Sequence, residues 1–139
     1  MEVFVVAMSI SVLVQLFKFL AHWGITGRPH FARLFQTGGM PSSHSAAVCA
    51  LSTHLFVTQG ADSLLFGVAL FFSLIVMYDA AGLRRAAGMQ ATILNRLLEE
   101  HQDRRLRDRR LLELLGHTPF EVLVGAALGI AFALAWNAL

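Results

Sequence analysis

Between Arg96 and Glu113, 11 of 18 residues are charged, which leaves 9 charged residues for the other 121. Outside that segment the chain is nearly neutral, and 139 residues cannot hide so much apolar surface in one water-soluble core. With 56% of its residues hydrophobic and 14% charged, against about 25% charged in soluble domains, the composition is that of a membrane protein. A single membrane domain over residues 1–139 is expected. A soluble Rossmann enzyme, a nucleic-acid module and a disordered tail are disfavoured. The net charge of +2, with ten Arg and one Lys, implies no nucleic-acid partner.

A bilayer core of about 30 Å needs roughly 20 helical residues. Four stretches approach that length: Val3 to about Trp23, Ser43 to about Gln59, Ser63 to about Ala81, and Pro119 to Leu139. The second is the weakest, because His44, Ser45, Ser52, Thr53 and His54 dilute it, and such a helix should be enclosed by the others. In the first, Ser11, Gln15, Lys18 and His22 recur at steps of four, three and four, so they share one face that should turn inward. Gly125 and Gly129 form a G-x-x-x-G pair in the fourth, which allows close approach to a neighbouring helix and leaves a homo-oligomer open. The segment from about Ala86 to Gly116 reads as an amphipathic charged insertion, bent near Arg104 and stitched by pairs such as Glu100 with Arg104. The expected fold is therefore all-α: an integral membrane bundle of four transmembrane helices with a cytoplasmic amphipathic helical segment.

Both long connections then fall on one side of the membrane. That side carries all ten arginines, while the termini and the turn at Gly60 carry no Lys or Arg. The positive-inside rule places the long connections in the cytoplasm and both termini outside. The N-terminus lacks the basic region and cleavage site of a signal peptide, so its apolar run reads as a retained helix. Cys49 is the only cysteine, so neither a disulfide nor a thiolate metal site is expected within one chain.

Three phrases carry chemistry. Gly38 to Ser45 (GGMPSSHS) opens the second span, where unpaired amides and the positive end of a helix attract an anion; Ser42 or Ser43 also serves there as an ordinary N-cap. A cap does not require His44. At the start of the fourth span, His117 and Glu121 are four apart, so a helical path brings the carboxylate under the imidazole. Thr118, Pro119 and Glu121 also spell a capping box with proline at the first helical position. His117 lies outside what that box needs. Between them, Arg84 and Arg85 leave the third span on the same side, either as a phosphate clamp or as membrane-edge arginines. Asp79 is expected in a structural ion pair with Lys18, Arg84 or Arg85, and His54 reads as a packed polar residue.

The phrases GGMPSSHSA, YDAAGLRRAAGMQA (Tyr78 to Ala91) and LGHTPFEVLVG (Leu115 to Gly125) resemble the divergent branch of the type 2 phosphatidic acid phosphatase superfamily, related to acid phosphatases and vanadium haloperoxidases. The resemblance covers nearly the whole chain. Against the superfamily's ordinary motifs, Pro41-Ser42-Ser43-His44 matches P-S-G-H with serine for glycine, and His117 with Glu121 matches H-x3-D with glutamate for aspartate. The motif arginine departs most, since Arg85 precedes His117 by 31 intervening residues where the pattern has five. Nine residues, where the pattern has six, separate Lys18 from Arg28-Pro29, so Arg28 is the weaker member of that pair.

The resemblance implies a metal-independent phosphatase, without cofactor, acting on an amphiphilic substrate such as a lipid or isoprenoid phosphate. His117 would be the nucleophile, His44 the acid and Glu121 the orienting carboxylate. Lys18, Ser42, Ser43, Arg84 and Arg85 would bind the phosphate. The alternative is a non-catalytic membrane protein that binds lipid phosphate or a partner through its charged cytoplasmic segment.

Overall fold

The computed structural model describes residues 1–29, 31, 39–100, 111 and 116–139, and of residues 83 and 84 the backbone only. The described residues are helical, without strands. Among the described residues five helices succeed one another: α1 (Glu2–Thr26), α2 (Ser43–Gln59), α3 (Leu64–Ala81), α4 (Leu83–Glu100) and α5 (Pro119–Ala138). α1, α2, α3 and α5 form the four-helix bundle expected from the apolar stretches. α1, the run from α3 into α4, and α5 are long and apolar enough to cross a membrane.

The helix ends are set by local chemistry. α1 stops at Gly27, whose φ of 68° closes the last turn with a 2.8 Å bond from its N–H to the Trp23 carbonyl. Ser42, Ser63 and Thr118 cap the starts of α2, α3 and α5, each accepting an amide three residues on.

α2 is the centre of the bundle, packed against α1, α3 and α5. This explains its weak apolar signal: a helix shielded from lipid by its neighbours can keep polar groups if they bond internally. Ser73 of α3 does this from across the seam, its Oγ lying 2.7 Å from the Ala69 carbonyl, 2.9 Å from the Val48 carbonyl and 3.5 Å from Ser52 Oγ. The opposite seam sets alanines against β-branched residues. Ala46 and Ala50 of α2 join Val6, Ile10 and Val14 of α1 and Ala133 of α5 in one buried cluster. Ser11, Gln15, Lys18 and His22 flank that stripe of α1, each half-buried.

The G-x-x-x-G pair acts within the chain. A Cβ on Gly125 would run into the Ser42 carbonyl and one on Gly129 into the Ala46 carbonyl, so these glycines let α5 lie directly on the backbone of α2. The amphipathic segment also starts earlier than its sequence pattern suggests. α4 begins at Leu83, directly after Gly82, whose φ of −103° and ψ of −84° interrupt the helix. The bend expected near Arg104 lies outside the described residues.

Candidate active site

Two backbone hydrogen bonds draw three helix ends together. Ser42 N–H donates to the Glu121 carbonyl at 3.2 Å, joining the start of α2 to the start of α5. His117 N–H donates to the Ala80 carbonyl at 3.0 Å, joining the residue before the α5 cap to the last turn of α3. The Ala80 carbonyl is available because the last carbonyls of a helix have no partner in their own helix, and Gly82 ends α3 there. Gly116, with φ of 87°, supplies the left-handed turn that brings His117 onto it. Residue types gave no hint of Ala80, since it acts through a main-chain oxygen; the glycine closing the span was the available signal.

His117 is 4% exposed. Its Nδ1 lies 3.5 Å from Glu121 Oε2, within ion-pair range but long for a hydrogen bond, and has no hydrogen-bond partner among the described residues. Oε2 is already held: Thr118 N–H donates to it at 2.7 Å, while Thr118 Oγ1 accepts Glu121 N–H at 3.3 Å. The two readings of Glu121 thus meet in one atom. The capping box exists, and its carboxylate oxygen is the one that faces His117.

Burial pushes the His117 imidazole below its ordinary range, and the nearby charges of Lys18 and His44 act in the same direction, while Glu121 opposes them. Neutral imidazole is therefore favoured. Lys18 reaches this group from α1 and interacts electrostatically with both Glu121 and His117, and His44 comes from the first turn of α2. Four chemically able side chains from α1, α2 and α5 consequently converge at one end of the bundle.

Ser42 is fully buried and Ser43 nearly so. Ser42 Oγ accepts Ser45 N–H at 3.3 Å and Ser45 O–H at 3.0 Å, which leaves the Ser42 hydroxyl proton to donate elsewhere. Arg85 is exposed on α4, and the side chain of Arg84 lies outside the described atoms. The bond from His117 N–H to the Ala80 carbonyl closes the long insertion at its base and brings the His117 backbone beside a residue only five before Arg85. Asp79 is half-buried and engaged with a neighbour, and Arg28 is exposed beyond the end of α1. His54 is buried deep in α2, away from the site. Among the described residues no three His, Cys, Asp or Glu side chains gather as a metal cluster.

A family model described as "Divergent PAP2 family" matches residues 1–132. The chain belongs to this family. It is also 39% identical over 140 residues to the membrane protein YuiD of Bacillus subtilis (strain 168), a match covering 92% of this chain and 89% of that protein. No solved structure matches. The family match spans all three phrases, those around His44, Arg85 and His117, together with α1, α2, α3 and the larger part of α5.

Proposed function

We propose that this divergent PAP2 family protein is a membrane-embedded phosphatase that hydrolyses a lipid or isoprenoid phosphate through a phosphohistidine. The observation that supports this reading is the buried His117 imidazole, facing the Glu121 carboxylate and within electrostatic reach of His44 and Lys18. With Nδ1 turned to Glu121, Nε2 of the neutral ring is the nitrogen that attacks phosphorus. The P–O bond to the lipid alcohol breaks, and His44 gives its proton to the leaving oxygen. Water then attacks the phosphohistidine, passes a proton to His44, and releases inorganic phosphate with His117 restored. Lys18, the Ser42 hydroxyl, the first amides of α2 around Ser43, and Arg84 and Arg85 would hold the phosphoryl oxygens. Phosphoryl transfer depends chiefly on such positioning and charge stabilisation.

The deciding experiment supplies the purified protein with phosphatidic acid, an isoprenyl phosphate and an isoprenyl diphosphate. Phosphate release should resist EDTA and be inhibited by vanadate, a five-coordinate mimic that binds about 10²-fold or more tighter than substrate. ³²P-substrate should label the protein in an acid-labile form that disappears in His117→Ala. Absence of release from every substrate, or labelling that survives His117→Ala, overturns the mechanism. The exposure of Arg85 favours the second reading, a binder of lipid phosphate that does not turn it over. Tight vanadate or phosphate binding without phosphate release would establish that alternative.

The arginine distribution supports a cytoplasmic site with both termini outside. Single cysteines at Glu100 and Leu139, in a Cys49→Ala background, should label oppositely with an impermeant thiol reagent on intact cells. Labelling at Glu100 without permeabilisation reverses that placement.

A further inference from the structure

Among the described residues α4 packs against no helix except α3, from which one residue, Gly82, separates it. Its Gly88, Ala91 and Asn95 face is buried, and the Asn95 side chain clips the backbone of Leu111, donating from Nδ2 to its carbonyl and accepting its N–H, both at 2.9 Å. The far side is apolar and open. Met89, Ile93 and Leu97, at steps of four, form a stripe with Leu94 beside it, and all four are about half exposed. Exposed Arg85 and Arg96 lie on the adjoining arc, with Glu99 beyond them.

Helix α3 is apolar on its outer face, and its 18 residues approach the roughly 20 that cross a bilayer. A helix that starts one residue after such a span starts at the membrane surface. If α4 stood in water, its apolar stripe would be hydrated along about two turns, in a chain with hydrocarbon directly alongside. An apolar stripe bordered along one side by arginines, on a helix that follows a lipid-facing span after one residue, is the arrangement of an interfacial helix. We infer that α4 lies on the bilayer surface, with Met89, Ile93 and Leu97 sunk to the boundary between headgroups and acyl chains and with Arg85 and Arg96 at headgroup level. This inference is independent of phosphatase activity.

Spin labels on single cysteines at Ile93, Leu97 and Glu99 test it, in the full chain with Cys49→Ala, reconstituted into phosphatidylcholine–phosphatidylglycerol vesicles. These side chains are exposed, so labelling leaves the fold in place. At Ile93 and Leu97, collisions with oxygen should exceed those with a water-soluble nickel chelate several-fold, and the ratio should invert at Glu99. Nickel access at Ile93 and Leu97 equal to that at Glu99 overturns the inference. Exclusion of both relaxants, with spin–spin broadening that vanishes on dilution with unlabelled protein, also overturns it and assigns the stripe to a second copy.

Discussion

The two ends of the bundle are held together by different means. At one end α2 and α3 are joined by a tight local turn: Gly60 N–H returns to the Phe56 carbonyl, Ser63 N–H to the Gly60 carbonyl, and Ser63 Oγ reaches Gln59 Oε1. Every one of these bonds stays within a few residues. At the other end the connections are long, and the helix ends are tied across the fold, from Ser42 to Glu121 and from His117 to Ala80. The end with short connections has no Lys or Arg, whereas the stitched end holds Lys18, His44, His117 and Glu121. Long connections cannot set the position of a side chain by themselves. Cross-helix backbone bonds do so, and they occur where several ionisable groups must meet.

The largest expected effect comes from the single oxygen shared by cap and histidine. In Glu121→Gln an amide oxygen at the Oε2 position still accepts Thr118 N–H, so only the charge is lost. Stability should barely change, while kcat falls about 10²- to 10⁴-fold if the carboxylate supports the positive charge that His117 acquires. The pH profile gives an independent readout. In the proposed mechanism His117 attacks as the neutral ring, so an acid limb of kcat/KM is expected below the ordinary histidine range, and Glu121→Gln removes a charge that stabilises imidazolium. That limb should move to lower pH in Glu121→Gln and to higher pH in Lys18→Met, which removes the opposing cation. Equal limbs in both variants would take His117 out of the acid titration.

The sequence made some of this legible and hid the rest. The spans around α1, α3 and α5 were readable because lipid contact demands long apolar runs. The weakness of α2 was readable too, and enclosure by three helices is its cause. The cap at Thr118 was written in residue types, as was the nearness of Glu121 to His117. The sharing of Oε2 was not, since spacing locates a carboxylate but not its individual oxygens. The anchor at Ala80 was hidden because a carbonyl belongs to every residue, and the partner of Gly125 and Gly129 because a small-residue stripe names no neighbour. The insertion before His117 looked like a break in the motif. Its base is closed by one backbone bond, which no linear spacing can express.

A smaller effect, on stability, contrasts the helix that carries the stitched end with the one that faces lipid. Gly125→Ala puts a methyl group into the Ser42 carbonyl, whereas a Cβ on Gly67 of α3 meets nothing within 4 Å. Overpacking of this kind costs about 1–3 kcal/mol, and here it also pushes Ser42 from the Glu121 carbonyl. Gly67→Ala should instead gain up to about 1 kcal/mol from helix propensity. Thermal melting in detergent should lower Tm for the first variant and hold or raise it for the second, and only the first should lose activity. An unperturbed Gly125→Ala protein would show that α5 does not rest on the backbone of α2.

The smallest effect compares two caps of the same kind at opposite ends. Ser63 Oγ accepts Phe66 N–H at 3.4 Å and Thr118 Oγ1 accepts Glu121 N–H at 3.3 Å, so Ser63→Ala and Thr118→Ala should each lose about 1 kcal/mol of stability. Their activities should differ. Ser63 belongs to the short turn, and its loss should leave kcat as it was. Thr118→Ala keeps the backbone N–H that holds Oε2 but frees the first turn of α5, so the carboxylate loosens without losing its charge or its main anchor. A drop in kcat of a few fold at unchanged acid limb is expected, far less than in Glu121→Gln. A loss in Thr118→Ala as deep as in Glu121→Gln would mean that the position of the carboxylate, and not its charge, is what the stitched end supplies.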